Sequence, residues 1–224
     1  MKSRGFSLVE MLAALAVLSV LLVLSWPALQ RAIDASRNAR CISNLRSCGQ
    51  GILLHARDHE NRLVLAYASS ADKDIANFPH LENHPQKGLT WYEYLHKTGY
   101  LPNDEVFVCP SFEPYRFNEK PWGRAYGMRR TVTSTRYTAL PLTSVPRPGH
   151  YLLLADSSRP TIAIPSQWYY VNYPGDEANT IHLRHQNKAN IFFLDGSVRA
   201  LGETEILDLN DGWNKKALDH TPVR

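Results

Sequence analysis

The N-terminal part of the chain contains a run of residues that is long and apolar enough to cross a membrane once. The run extends from Phe6 to Trp26, and its only ionisable side chain is Glu10. About 20 helical residues span the hydrocarbon layer of a bilayer, because each residue adds ~1.5 Å of rise. Lys2 and Arg4 precede the run. The positive-inside rule therefore predicts a cytoplasmic N-terminus and a remainder of the chain that lies outside.

The composition predicts a membrane-attached soluble domain. Of the 224 residues, 44% are hydrophobic, which is enough for a buried core. The mean hydropathy of −0.33 is nevertheless negative, because the apolar character is concentrated at the N-terminus. The 25 basic and 21 acidic residues are mixed, without the Lys/Arg block that marks a nucleic-acid surface. We therefore expect no nucleic-acid partner.

Three interpretations compete for the apolar run: a signal peptide, a plain membrane anchor, and an anchor that is processed and later assembled. A signal peptide has a shorter apolar core and a small-x-small cleavage site, whereas this run continues into Trp26 and Pro27. A plain anchor accounts for the length but leaves Glu10 unexplained, because a carboxylate inside a membrane is costly. An anchor that is processed and later assembled can account for Glu10, because the carboxylate can then take part in assembly.

The segment Gly5-Phe6-Ser7-Leu8-Val9-Glu10, with a short basic leader before it and Pro27 at the far end of the apolar run, resembles the N-terminus of type IV prepilins and pseudopilins. The resemblance implies that a prepilin peptidase, which is also the methyltransferase, cuts after Gly5 and methylates Phe6. It also implies that Glu10 guides assembly with other pilin-like subunits. A Glu10 carboxylate that pairs with the Phe6 amine of a neighbouring subunit would favour one register, because a half-formed buried ion pair is costly.

Beyond Pro27 the apolar residues recur at helical spacing as far as Ala56, so the helix is expected to continue. Pro27 should bend the helix rather than end it, although two separate helices meeting at Pro27 remain an alternative. The helix should end within residues 55–62, HARDHENR. His55, Asp58 and His59 have the spacing of a metal cluster, but a solvated turn is the preferred interpretation.

The expected organisation is a leader at residues 1–5, a membrane-spanning helix at 6–29, an amphipathic continuation at 30–60 and a head at 61–224. The expected fold class is α+β, with the long helix packed against an antiparallel sheet. LTWYEYLHKTGYL predicts a short helix, and Asp195-Gly196 predicts a hairpin turn. The predicted strands are EVFVCPS, HYLLLADS, ANIFFLDG and SVRAL.

A second resemblance lies near the C-terminal end of the head. His185 and Asp195-Gly196 are separated as in the H-x9-DG motif of a large group of pilin-like proteins, and VCPSF and YGM resemble other landmarks of that group. His185 and Asp195 are ~30 Å apart along an extended chain, too far to share an ion. We expect Asp195 to shape the turn, Gly196 to supply a positive φ, and His185 to cap or pack an edge.

The sequence does not predict an enzyme, a cofactor or a metal centre. Asp156 ends a predicted strand close to Ser157, Ser158, His150 and His182, but no G-x-S-x-G or phosphate-loop signature accompanies them. His182 and His185 without a nearby carboxylate are a weak metal signal. Asp208, Asn210 and Asp211 are weak calcium candidates, and a polar turn is the commoner explanation for such a segment.

The three cysteines lie in two parts of the chain. Cys41 and Cys48 are seven residues apart on one helix face, ~10.5 Å in rise, and cannot bond each other. Cys109 reaches one of them if EVFVCPS packs on the helix. The compartment outside the inner membrane permits a disulfide, but the odd count favours three buried, reduced thiols.

The resemblance to prepilins and pseudopilins implies a subunit of a pilus or of a type II secretion-like pseudopilus. It would lie in the inner membrane as a single-pass protein, with a cytoplasmic N-terminus and a periplasmic head. The alternative is an anchored binding module that recognises a secreted protein or glycan through the aromatic loop QWYYVNYPGDE. Its aromatic residues are Trp168, Tyr169, Tyr170 and Tyr173.

Overall fold

A computed structural model of the protein divides into two compact units, Met1–Arg37 and Asn38–Arg224. The described residues are 7–69, 88–117, 123–130, 132–133, 136–137, 140–160, 165–171, 179–209 and 218–219. One helix, α1, contributes residues to both units, and the strands all belong to the second unit.

Helix α1 spans Leu8–Asp58 and contains Pro27 within it. The alternative of two helices meeting at Pro27 is therefore wrong, and the predicted end within residues 55–62 is confirmed. In the first unit the large apolar side chains between Leu8 and Leu29 are exposed. Among the described residues, α1 is the helix that is long and apolar enough to span a membrane.

In the second unit, α1 turns one face toward the core of the head. The residues of this face recur at the three- and four-residue steps that the sequence predicted, and the buried ones include Cys41, Leu45, Cys48, Gly49, Ile52 and Ala56. A Cβ on Gly49 would lie 2.3 Å from ring atoms of Phe192. The helix therefore approaches this aromatic ring at the distance that only a glycine permits.

The described strands form a five-stranded sheet, a three-stranded sheet and two small hairpins. The five-stranded sheet has the order β11-β10-β6-β3-β8 and the three-stranded sheet the order β12-β9-β7, while β1 pairs with β2 and β4 with β5. The strands are β1 Tyr67–Ser69, β2 Gly88–Thr90, β3 Gly127–Arg129, β4 Val132–Thr133, β5 Arg136–Tyr137, β6 Leu152–Ala155, β7 Ser157–Ser158, β8 Tyr170–Val171, β9 Thr180–His182, β10 Lys188–Phe193, β11 Val198–Gly202 and β12 Leu218–Asp219.

The five-stranded sheet is covered on both faces, and β10 shows this directly. Phe192 belongs to the larger apolar cluster, which includes the buried face of α1 and helix α2, Trp91–Lys97. Ile191 and Phe193 belong to a second cluster, which includes Ile206 of helix α3, Glu203–Asp208. Since successive strand residues point to opposite faces, a strand between two cores is buried along nearly its whole length. The α+β architecture of a long N-terminal helix against a C-terminal sheet is confirmed.

The predicted short helix in LTWYEYLHKTGYL, which is α2, and the last hairpin are also confirmed. The Thr90 hydroxyl accepts from the Glu93 amide, and the Glu93 carboxylate accepts from the Thr90 amide, which makes a capping box at the start of α2. Strands β10 and β11 pair antiparallel, with Phe192 opposite Val198.

Three expectations need correction. EVFVCPS is not a strand, because Asp104–Phe107 form a 3₁₀ helix that buries Phe107 without a strand partner. The sheets are mixed rather than wholly antiparallel, since β8 pairs parallel with β3 and β12 pairs parallel with β9. The end of α1 is not fully solvated: His55 is buried and its ring stacks on His59 at 4.1 Å.

Candidate functional site

The start of α1 carries a hydrogen-bonded cap that involves Glu10. Its Oε2 accepts from the Ser7 amide at 2.8 Å, and the Ser7 Oγ accepts from the Val9 amide at 3.2 Å. Ser-x-x-Glu is the sequence of a capping box, although here the Ser7 hydroxyl bonds the Val9 amide rather than the Glu10 amide; both bonds satisfy amides that an isolated helix start leaves unpaired. Glu10 therefore has a partner within its own chain, and the sequence SLVE held this signal. Gly5 and Phe6, the predicted processing residues, lie outside the described residues.

A second candidate site lies inside the head, where four segments bring metal-binding side chains together. Cys41 comes from α1, Cys109 follows the 3₁₀ helix, Asp156 follows β6, and His185 lies in the turn between β9 and β10. One ligand atom from each side chain lies within 4.8 Å of the other three. Cys41, Cys109 and Asp156 are completely buried, and His185 is 9% exposed. We call these four residues the Cys–Asp–His cluster.

Three contacts define the geometry of the cluster. The Cys41 Sγ lies 3.4 Å from Asp156 Oδ1, and the Cys109 Sγ lies 3.4 Å from His185 Nε2. The same Nε2 lies 3.3 Å from Asp156 Oδ2. The His185 nitrogen therefore faces a sulfur and a carboxylate oxygen at nearly equal distances.

Asp156 is the charged centre of this region. Its Oδ2 accepts from the Asn190 amide at 2.8 Å, and its Oδ1 lies 3.7 Å from the Arg184 Nε. Burial alone would raise the pKa of Asp156, but the charges of Arg184 and His185 and these hydrogen bonds lower it to about 2. The carboxylate is thus ionised although no solvent reaches it.

The pKa values of the neighbouring groups shift in opposite directions. Burial lowers the pKa of His185, but the charge of Asp156 outweighs it and brings the pKa to about 9. Burial raises the pKa of Cys109, yet hydrogen bonds with Cys41 and His185 and the charge of Arg184 bring it down to about 6. Burial raises the pKa of Cys41 well above its usual value. Cys109 is therefore the sulfur held in the thiolate form, which is the form that reacts and binds metals.

Backbone and amide contacts hold the two loops that carry Cys109 and His185. The buried Gln167 side chain accepts from the Cys109 amide at 2.9 Å and donates to the carbonyls of Cys109, Phe112 and Pro114. His185 and Lys188 exchange backbone hydrogen bonds around Gln186 and Asn187, which both have positive φ. This is the geometry of a two-residue type I′ turn. His185 therefore lies in the buried cluster. The sequence had instead predicted that it would cap or pack an edge.

The other predicted residues occupy separate places. Asp195 Oδ1 accepts from the amide and the hydroxyl of Ser197, and Gly196 has φ 88° in the β10–β11 turn. His182 stacks on Phe112 at 4.4 Å. The Ser157 hydroxyl donates to the carbonyls of Ala125 and Trp168, so its contacts are structural.

The remaining candidates are partly outside the described residues. Asp208 ends α3, whereas Asn210 and Asp211 lie outside the described part of the chain, and so does Tyr173 of the aromatic loop. Tyr169 is buried, while the partly exposed Trp168 ring lies 5.7 Å from Arg124 and 4.3 Å from Arg159. The loop therefore contributes both to the core and to a basic surface.

The three cysteines have the buried, reduced state that the sequence favoured. All three cysteines are free and buried. The Cys109 side chain is hydrogen-bonded with that of Cys41. The Cys48 Sγ instead donates to the Val106 carbonyl at 3.1 Å. The prediction that Cys109 reaches one cysteine of the helix is confirmed, although EVFVCPS is not the strand that was expected to bring it there.

Comparisons with known proteins identify the N-terminal segment. Residues 1–26 match the family model of the prokaryotic N-terminal methylation motif. This is the motif found at the N-terminus of type IV prepilins and pseudopilins, and the long N-terminal helix and the α+β head are similar to the architecture of such precursors. No curated protein and no solved structure matches the chain. The resemblance of the segment from His185 to Gly196 to the H-x9-DG motif stays a proposal.

Proposed function

We propose that this protein is a structural subunit of a pilus or of a type II secretion-like pseudopilus. Its precursor is cut after Gly5 by a prepilin peptidase and methylated at Phe6 by the same enzyme. The observation that carries the proposal is the match of residues 1–26 to the methylation motif. The match agrees with the apolar part of α1, whose side chains are not buried against any other described residues.

In this proposal the exposed apolar surface of α1 is buried first by lipid and then by neighbouring subunits. Leu8, Leu22 and Leu24 are at least 70% exposed, and burying such a side chain gains roughly 1.5–3 kcal/mol. Before assembly the inner membrane surrounds this surface, with the N-terminus in the cytoplasm and the head in the periplasm. After assembly the helices of neighbouring subunits replace the lipid.

Glu10 links processing to assembly. The cap holds its carboxylate against the Ser7 amide. Ser7 directly follows Phe6 in the sequence, and cleavage after Gly5 creates a charged amine on Phe6. A Glu10 carboxylate that leaves its own cap for the Phe6 amine of a neighbour would form an ion pair in which both partners are charged, whereas the Ser7 amide is a neutral donor.

Two substitutions at Glu10 separate capping from charge pairing. Glu10→Gln keeps an oxygen that can accept from the Ser7 amide but carries no charge, whereas Glu10→Ala loses both properties. We expect both variants to insert into the membrane and both to lose most co-assembly with wild-type subunits. Co-purification of an untagged variant with a tagged wild-type subunit from membranes measures this.

Ser7→Ala is the matched control, because it removes the hydroxyl of the cap and leaves the carboxylate in place. It should assemble at close to the wild-type level. If Glu10→Gln co-purifies as well as the wild type, helix capping is sufficient and the pairing of Glu10 with a neighbouring amine is contradicted.

A further inference from the structure

The Cys–Asp–His cluster offers a complete donor set for a tetrahedral metal ion. Two sulfurs, one imidazole nitrogen and one carboxylate oxygen lie within 4.8 Å of one another. Two thiolates disfavour calcium and magnesium, which prefer oxygen ligands. Zinc accepts Cys, His and Asp ligands in four-coordinate sites.

The distances between the donor atoms fit such an ion. Zinc bonds of about 2.3 Å to sulfur and about 2.1 Å to nitrogen or oxygen give tetrahedral edges of roughly 3.4–3.8 Å. The Cys41 Sγ–Asp156 Oδ1 and Cys109 Sγ–His185 Nε2 distances are both 3.4 Å, and His185 Nε2 lies 3.3 Å from the other carboxylate oxygen, Oδ2. These three contacts are close to the edge lengths of such a site, and a small rotation of the carboxylate would present one oxygen to both neighbours.

Direct hydrogen bonds explain these distances less well. A charge-assisted bond between an imidazolium and a carboxylate is usually about 2.7–2.9 Å long, whereas His185 Nε2 lies 3.3 Å from Asp156. The same nitrogen also faces the Cys109 sulfur, and its single hydrogen cannot point fully at both. A cation at the centre would satisfy the nitrogen lone pair and both of its neighbours together.

The charges around the cluster balance when zinc is present. Two thiolates and the Asp156 carboxylate carry three negative charges, which the divalent ion and the buried Arg184 guanidinium neutralise, with His185 neutral. Arg184 lies 3.7 Å from Asp156 Oδ1, and its side chain is fully buried. A buried group of charges is tolerated when it is paired in this way.

We propose that Cys41, Cys109, Asp156 and His185 bind one structural Zn²⁺ ion inside the head. The site has four protein ligands and no open position, which is typical of structural rather than catalytic zinc. It joins α1 to the loop after the 3₁₀ helix, to the end of β6 and to the β9–β10 turn. The proposal concerns the head alone and does not depend on assembly into a fibre.

The test uses the full chain purified in detergent, with Zn²⁺ as the probe. After saturation with zinc and dialysis against metal-free buffer, elemental analysis should find about one zinc per chain. Cobalt(II) in place of zinc should give the intense visible bands of a tetrahedral site and the near-ultraviolet thiolate charge-transfer band. This second measurement needs no variant and so does not depend on a substituted chain that folds.

Variants identify the ligands. Cys109→Ser and Asp156→Asn should each weaken zinc binding at least about tenfold. Cys48→Ser is the matched control, because Cys48 is a buried cysteine of the same helix outside the cluster, and it should bind zinc as the wild type does. Alkylation followed by mass mapping should show Cys41 and Cys109 protected by zinc and reactive after a chelator is added.

Two results would overturn the proposal. One is a folded wild-type chain that retains no zinc and shows no cobalt charge-transfer band. The other is a Cys41–Cys109 disulfide in protein isolated from its native compartment, because that bond would consume both thiolates.

Discussion

Gly49 shows how a single residue sets the distance between helix α1 and the sheet. A Cβ at this position would lie 2.3–2.4 Å from three ring atoms of Phe192, and Phe192 is completely buried in β10. A buried ring has little room to move aside, because protein cores are packed about as densely as organic crystals. The absence of a side chain at Gly49 is therefore a packing requirement.

We expect Gly49→Ala to lower the free energy of unfolding by about 1–3 kcal/mol, the usual cost of overpacking a core. This opposes the gain of roughly 0.5–1 kcal/mol that alanine has over glycine in a helix interior. Urea unfolding of the full chain in detergent, followed by tryptophan fluorescence, measures the difference.

The exposed neighbour Gln50 provides the control, since Gln50→Ala should change stability by less than about 0.5 kcal/mol. In the Gly49→Ala/Phe192→Leu double variant, the smaller side chain should offset part of the loss caused by the alanine, so the two effects should not add. A Gly49→Ala chain that is more stable than the wild type would show that the ring moves freely.

At the scale of elements, the β10–β11 hairpin joins a local signal to a backbone requirement. Phe193 donates its amide to the Ser197 carbonyl, and Gly196 donates to the Phe193 carbonyl, so the connecting loop is Leu194-Asp195-Gly196. Gly196 has φ 88°, in the left-handed region, and a Cβ there would meet nothing within 4 Å. Any cost of substitution at Gly196 therefore comes from backbone conformation and not from crowding.

Gly196→Ala should accordingly destabilise the head by about 1–2 kcal/mol, the cost of a left-handed conformation for an ordinary residue. Gly196→Asn should cost less, because asparagine tolerates this region better. Thermal unfolding of the full chain in detergent distinguishes the two variants. Equal stability of Gly196→Ala and the wild type would mean that the turn relaxes to another conformation.

Elements with local signals were predictable, and elements that depend on distant contacts were not. The capping residues Thr90 and Glu93, the periodicity of α1 and the Asp195-Gly196 turn all act within a few residues. EVFVCPS reads as a strand because it contains a short continuous apolar run, yet it has no strand partner, and its first residues belong to the 3₁₀ helix Asp104–Phe107. A short apolar run alone does not reveal whether a neighbouring strand is available.

The Cys–Asp–His cluster was not predictable for a related reason. Its four side chains come from residues 41, 109, 156 and 185, with no pair at the short spacing that marks a zinc motif in a sequence. The sequence suggested only that Cys109 could reach the helix and that Asp156 ends a strand. The turn formed by Gln186 and Asn187, which places His185 inward, becomes informative only when the folded chain is known.

At the scale of the whole molecule, the chain combines a processing motif at its N-terminus with a head that has its own core. Residues 1–26 carry the methylation motif, and α1 extends from the apolar segment to the core of the head. The central claim is that the peptide bond between Gly5 and Phe6 is cleaved, because the amine on Phe6 and the assembly role of Glu10 both depend on that cleavage.

The most direct measurement of this claim is mass spectrometry of the native protein isolated from its membranes. The account predicts a chain that begins at Phe6 and carries one additional methyl group on its terminal amine. The same protein from cells that lack the prepilin peptidase should retain residues 1–5. A native chain that retains its leader when the peptidase is active, or that begins near Trp26, would contradict the account.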